Sequence, residues 1–201
     1  MGKGLFGKDQ GEGEDVVLLH GLFGQGSNLQ NIARALEGDF RVHSVDLPDH
    51  GKSPWSAAPS IDVYAEALDA WMTAQGIQNA HVLGHSLGGK VAMALALQRP
   101  ERVNRLVVAD IAPVNYAPSH DAVFQGLRAV ACEECVTRKQ AGKVLEDFIE
   151  EPSVRQFLLL SLVREEGAKT FTWRLNHEAL AEAYPSLLVG LTSNTPFGRP
   201  A

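Results

Sequence analysis

The sequence predicts an α/β protein built on a mostly parallel, doubly wound sheet. Three observations carry that. Short apolar runs of strand type recur as far as Asp110. One segment of helical period separates each run from the next. Each run ends in a cluster of loop-forming residues.

Val16–Leu19 is the first run, a continuous apolar stretch of the buried-strand type that stops at His20-Gly21. Gly21, Gly24 and Gly26 follow as a loop, and Ile32, Ala33 and Leu36 carry a short helix. Val42–Val45 reads as the second strand, closed by Asp46-Leu47-Pro48. Ser60 is placed to cap a helix whose apolar face is Tyr64, Ala67, Leu68, Trp71 and Met72, with Gly76 as its C′ glycine. His81–Leu83 is the third strand, followed by Gly84-His85-Ser86-Leu87-Gly88-Gly89. Lys90–Gln98 is helical and stops near Pro100, and Arg105–Ala109 is the fourth strand, ending in Asp110.

Strands joined through single helices pair in parallel, because each crossover returns the chain to the same end of the sheet. Ligands of such sheets bind at the carboxyl ends of the strands. His20, Asp46, Ser86 and Asp110 all stand there, so all four are expected on one side. Beyond Pro113 the pattern changes. Asp121 to about Tyr184 is mainly helical, with apolar faces at Leu127, Val130 and Ala131 and at Val144, Leu145 and Phe148. Thr192–Ala201 reads as loop.

The composition of the 201 residues, 45% hydrophobic and 21% charged, is that of a globular protein of about one domain with a small insertion. A net charge of −6 with no Lys/Arg stripe argues against nucleic acid as a partner. No apolar stretch approaches the ~20 residues of a membrane span, and MGKGLFGKDQ lacks a secretory signal. Gly2 invites an N-myristoylation reading, but Phe6 stands where that motif takes Ser or Thr. The cytosol is the expected compartment. Oligomeric state is not readable.

The strongest local signal is Gly84-His85-Ser86-Leu87-Gly88, a G-x-S-x-G with a strand before it and a helix after it. A sharp strand-to-helix turn would project the serine Oγ outward, and the two glycines would remove side chains that collide. The helix N-terminus would aim the Leu87 amide at an oxyanion. The same stretch, continued to Lys90, also opens a G-x-x-x-x-G-K phosphate loop. Val91 then stands where that loop needs Ser or Thr for Mg²⁺, which argues against it. Cys132 and Cys135 form a C-x-x-C, but no second ligand pair is spaced for zinc, and Glu133 and Glu134 would blunt thiolate chemistry. They read as incidental. No metal and no cofactor is expected.

Four stretches in this order resemble the α/β-hydrolase superfamily, in particular its small bacterial esterases and their eukaryotic relatives. They are His20-Gly21-Leu22-Phe23-Gly24, Asp46-Leu47-Pro48-Asp49-His50-Gly51-Lys52-Ser53, Gly84 to Lys90, and Asp110-Ile111-Ala112-Pro113-Val114. The resemblance implies an α/β-hydrolase core over residues 1–113, a helical cap over 114–185, and a return toward the core over 186–201. It implies a serine hydrolase that cleaves carboxylic esters or acyl thioesters through an acyl-enzyme. Ser86 would be the nucleophile and Asp110 the acid. The amides of Leu22 and Leu87 would hold the oxyanion, with that of Phe23 a less favoured donor. Asp46 is an alternative carboxylate in a stretch that resembles a structural loop of the family. Trp173-Arg174-Leu175-Asn176 resembles the place where the cap returns to the core, with plain helix packing an equal reading. Phe157, Leu158 and Leu159 could line an acyl pocket or simply pack.

The chain departs from the family plan at the catalytic histidine, which should follow a final strand. No histidine is identified in that role. His85 adjoins Ser86 at a turn where neighbouring side chains diverge. His120 and His177 lie in the cap and could face the site. His43 and His81 read as packing or surface residues, and His50, which matches the loop motif, as structural. The sequence therefore reads as lacking its last two strands, and such a chain is expected to expose a sheet edge and to be poorly stable alone. The rival to an enzyme is an inactive fragment, or a binding protein that retains the pocket without the catalytic set.

Overall fold

The computed structural model describes residues 4–193 and 196–201. Gly2 lies outside the described residues. The sheet has five strands: β1 (Gly7–Gln10), β2 (Glu14–Leu19), β3 (Phe40–Val45), β4 (Ala80–His85) and β5 (Val103–Ala109). Their order is β1-β3-β2-β4-β5. β2 pairs in parallel with β3 and β4, and β4 in parallel with β5. The chain winds outward from β2 in both directions, as the doubly wound expectation requires.

β1 is the strand that the apolar pattern does not signal. Its sequence GKDQ contains no apolar side chain, and it pairs antiparallel with β3 at the sheet edge. Polar pairing holds it there. Asp9 contacts Arg41 at 3.1 Å and His43 Nδ1 at 3.0 Å.

The four apolar residues of β2 divide by the strand period of two. Val16 and Leu18 pack with Ala33 and Val42 beneath α1 (Gln30–Leu36). Val17 and Leu19 face α2 (Ile61–Ala74) and α3 (Leu87–Gln98) in the main core. Ser60 Oγ accepts the Val63 amide at 3.2 Å, which caps α2 as expected. Gly76, at φ +74°, closes the helix in a Schellman motif, with Ile77 N–H donating to the Met72 carbonyl at 2.9 Å. α3 is buried over most of its length and stops before Pro100. β5 forms the outer edge, where Val107 is 51% exposed; Leu106 N–H donates to the Pro200 carbonyl at 3.0 Å.

Residues beyond Pro113 form α4 (Asp121–Cys132), α5 (Arg138–Glu146), α6 (Pro152–Leu159), α7 (His177–Glu182) and α8 (Tyr184–Leu187). This block is mainly helical, as the sequence suggests, with one small exception. β6 (Leu162–Val163) and β7 (Thr172–Trp173) make a small antiparallel pair between α6 and α7. Two-residue strands are too short to show a period. Trp173 Nε1–H donates to the Leu127 carbonyl at 2.9 Å, which ties β7 to α4.

The Trp173–Asn176 stretch meets the loop after β3 by strand-like pairing, not by helix packing. Gly51 N–H donates to the Arg174 carbonyl, and Asn176 N–H to the Asp49 carbonyl, each at 2.9 Å. Ser161 Oγ donates to the Phe23 carbonyl at 3.1 Å. The block therefore lies over the carboxyl ends of β2 and β3. Cys132 is exposed and Cys135 buried, both as free thiols.

Candidate active site

The turn from β4 into α3 has little freedom. Ser86 sits at φ +51° and ψ −118°, a conformation a non-glycine residue adopts only where its surroundings enforce it. Ser86 N–H donates to the Ala109 carbonyl at 2.9 Å, and Gly88 N–H to the His20 carbonyl at 3.1 Å. The two glycines stand where any Cβ would collide with backbone. A Cβ on Gly84 would lie 2.2 Å from the Gly88 carbonyl oxygen, and one on Gly88 2.4 Å from that of Leu19. G-x-S-x-G is thus a steric requirement of this turn.

The loop after β2 passes close beside it. Gly24 N–H donates to the Gly21 carbonyl at 3.0 Å, and Phe23 takes φ +65°. Among the described residues, the Leu22, Phe23 and Leu87 amides donate to no backbone carbonyl, whereas that of Gly88 is used. Leu22, Phe23, Ser86 and Leu87 all line one cavity of about 740 Å³, walled on its other side by the 114–188 segment. That volume suits a small organic ligand.

His20 is a fixed part of the loop. The Gly21 carbonyl can only accept, so Nδ1 carries the proton and donates to it at 2.8 Å, while Nε2 accepts the Leu47 amide at 3.0 Å. Burial pulls its pKa down to about 4, against the raising effect of the Gly21 hydrogen bond. His50 is likewise buried and donates to the Pro48 carbonyl at 2.7 Å. Burial first and nearby His20 second pull its pKa down to about 3.

Asp46 does not join the other strand-end residues at the cavity, against expectation. Its carboxylate accepts the amides of Gly26 at 2.7 Å and Lys52 at 2.8 Å, and its carbonyl accepts Ser53 Oγ–H at 2.5 Å. Both oxygens are spent on holding loops. Asp110 does reach the cavity. It stands at φ +59° with its side chain 86% exposed, and its carboxylate is 3.8 Å from His85 Nε2.

The remaining histidines divide by location. His43 bridges Asp9 and Asp15, and His81 contacts Glu14, all away from the cavity. His177 lies beside Glu178 and is not part of the cavity wall. His120 is part of it. Its Nδ1 is hydrogen-bonded to the Tyr184 hydroxyl, and its ring packs edge-on against Phe23 at 5.6 Å. Burial lowers its pKa. Sequence reasoning misses Tyr184, because an isolated tyrosine in a helical segment carries no local signal of what it faces. Phe157 and Leu158 line the cavity, whereas Leu159 faces a separate groove between α5 and α6. Among the described residues no side chain hydrogen-bonds Ser86 Oγ.

Lys90 also touches the cavity, but its Nζ donates to three main-chain carbonyls: Val114 at 3.0 Å, Leu188 at 2.8 Å and Val189 at 2.5 Å. An ammonium has three protons, so none is left for a phosphate. That removes the phosphate-loop reading on different grounds from the missing Mg²⁺ ligand.

The family model described as alpha/beta hydrolase fold matches residues 16–188, the span that contains Ser86, Asp110 and the rest of the cavity lining. The chain belongs to the alpha/beta hydrolase fold family. Within that family it is 39% identical over 193 residues to the mouse protein named sn-1-specific diacylglycerol lipase ABHD11, covering 92% of this chain and 62% of that one. It is 37% identical over 182 residues to esterase YbfF of Escherichia coli K12, covering 90% of this chain and 69% of that one. Among solved structures, a marine microorganism esterase superposes with a TM-score of 0.93 at 33% identity, covering 98% of this chain and 78% of the other. The chain thus spans about three fifths to two thirds of the length of these two curated relatives. Among the described residues no helix is long and apolar enough to cross a membrane.

Proposed function

We propose that this α/β hydrolase cleaves carboxylic esters through an acyl-enzyme on Ser86. The observation that carries the reading is the placement of Ser86. It sits at a strained strand-to-helix turn, with the unengaged amides of Leu22 and Leu87 beside it on one cavity.

Ser86 Oγ attacks the ester carbonyl carbon and gives up its proton to a base. The carbonyl oxygen becomes an oxyanion, which the Leu22 and Leu87 amides stabilise by donation. A single such donor typically contributes ~3 kcal/mol of barrier lowering. Collapse expels the alcohol, which takes up a proton, and leaves Ser86 acylated. Water then attacks the acyl carbon, releasing the acid and restoring the hydroxyl. On the family plan Asp110, at the mouth of the cavity, would orient an imidazole that takes this proton and stabilise its charged form, although among the described residues no imidazole hydrogen-bonds Ser86 Oγ. His85 is the described imidazole within ion-pair reach of it.

The apolar wall formed by Leu22, Phe23, Phe157 and Leu158 favours an uncharged acyl or alkyl group. The names of the mouse and bacterial relatives, a diacylglycerol lipase and an esterase, agree with an ester substrate. An acyl thioester would enter by the same steps with a thiol as leaving group.

Hydrolysis of p-nitrophenyl butyrate by this chain and by Ser86→Ala tests the proposal, with fluorophosphonate labelling as a second readout. Turnover and a label on Ser86, both abolished by the substitution, are the expected result. A folded chain that neither turns over nor takes the label would favour the binding-protein reading instead.

A further inference from the structure

One buried charge close to Ser86 has no part in that chemistry. Lys90 follows Ser86 by one turn of α3, its amide donating to the Ser86 carbonyl at 3.2 Å, and only 2% of the residue is exposed. Its ammonium lies 5.1 Å from the Tyr116 ring centroid and donates to the carbonyls of Val114, Leu188 and Val189. Those carbonyls belong to the two chain connections between the sheet and the 114–188 segment, one leading out and one leading back. The connections also bind each other. Tyr116 N–H donates to the Leu188 carbonyl and Leu191 N–H to the Pro113 carbonyl, both at 3.0 Å. Gly190 N–H donates to Asn115 Oδ1 at 2.6 Å.

A methionine would fill the same channel without the cost of desolvating a charge. It could not bind three carbonyls from two separate segments. As an ammonium, Lys90 has no lone pair to act as a base and no N–H left for a ligand. What remains is mechanical. The segments it grips lead directly to His120 on one side and back to Tyr184 and Leu187 on the other, all of which wall the cavity over Ser86.

We propose that Lys90 is a positioning residue: its ammonium fastens both connections of the 114–188 segment to the first turn of the nucleophile helix, and so sets the cavity wall above Ser86. The consequence for substrate rests on the esterase reading; the fastening does not.

Residue-resolved hydrogen exchange on wild type, Lys90→Met and Lys90→Arg tests it. In Lys90→Met the amides of Tyr116, Gly190 and Leu191 are expected to exchange about tenfold faster or more, while those of Ser86 and Gly88 stay within about twofold. Lys90→Arg retains the charge and should recover part of the protection. Junction amides unchanged in Lys90→Met would overturn the proposal, as would an arginine variant no better than methionine. Should Lys90→Met not fold, Tyr116→Leu opens the ammonium to water from the exposed side. Faster exchange at Leu191 is then expected, and no change there overturns the proposal. With p-nitrophenyl butyrate, Lys90→Met should raise KM by a larger factor than it lowers kcat. Loosened amides with unaltered kinetics would refute the positioning role. Absence of turnover in wild type would count against the esterase reading alone, because the exchange measurement needs no catalysis.

Discussion

Gly21 stands against Ser86 so closely that a Cβ on it would lie 3.2 Å from Ser86 Cβ and 3.0 Å from His85 Nδ1. The loop after β2 can approach the turn after β4 only because position 21 has no side chain. That approach places Leu22 on the cavity wall beside Ser86, as the proposed donation from its amide requires. Gly21→Ala should therefore leave the sheet intact and push the two loops apart by a few tenths of an ångström. Fluorophosphonate labelling of Ser86 is expected to slow by about tenfold or more, since misplaced oxyanion donors lose most of their effect. Labelling at the wild-type rate would mean that the Leu22 amide is not a donor.

The glycines of the turn itself should behave differently. Added methyl groups at Gly84 and Gly88 meet backbone oxygens at 2.2 and 2.4 Å, one in helix α3 and one in strand β2, and such backbone cannot yield as a side chain end can. Gly88→Ala is expected to destabilise the fold by roughly 3 kcal/mol or more, beyond the usual range for single substitutions. Urea melts of wild type and variant measure it. A loss under about 1 kcal/mol would show that the turn has room.

The contrast explains what was legible in the sequence. Val16–Leu19, the α2 face and Gly84–Gly88 are dictated by local sterics and periodicity, so their positions were readable from residue order. β1 was not, because GKDQ is held by Asp9 against Arg41 and His43, a partnership formed only once β3 is in place. The β6–β7 pair was hidden because two-residue strands are too short to show a period. Asp46 and Asp110 both follow strands in loop-like sequence, and nothing local says that one clamps the amides of Gly26 and Lys52 while the other reaches the cavity. The three carbonyls around Lys90 come from residues far along the chain, so its role is visible only in the fold.

The buried histidines set a pH dependence of stability. His20 and His50 stay neutral in the folded chain down to about pH 4 and 3, whereas in the unfolded chain both titrate near 6.5. Above 6.5 both states are neutral and the two groups contribute nothing to the slope. As pH falls below 6.5 the unfolded chain takes up protons that the folded chain refuses, so stability declines progressively toward pH 4. Each histidine contributes up to about 1.4 kcal/mol per pH unit in that window. Urea melts from pH 7.5 to 4.5 should show the decline, and His50→Gln should flatten it relative to wild type. An equal slope in the variant would mean that His50 is protonated in the fold.

Asp110 has two competing roles that one substitution separates. Its φ of +59° suits a turn-forming residue, and asparagine adopts that conformation as readily as aspartate. Its carboxylate is exposed, so removing the charge leaves no unpaired buried group. Asp110→Asn should thus melt like wild type, within about 0.5 kcal/mol, whichever role holds. The roles part at the chemistry. If Asp110 only forms the turn, the amide variant would leave labelling of Ser86 untouched. If it is the acid that orients an imidazole, losing the carboxylate should slow labelling by about a hundredfold or more, because an amide neither stabilises an imidazolium nor selects the tautomer. A labelling rate within about twofold of wild type, in a fully folded variant, would assign Asp110 to the turn and place the charge partner elsewhere.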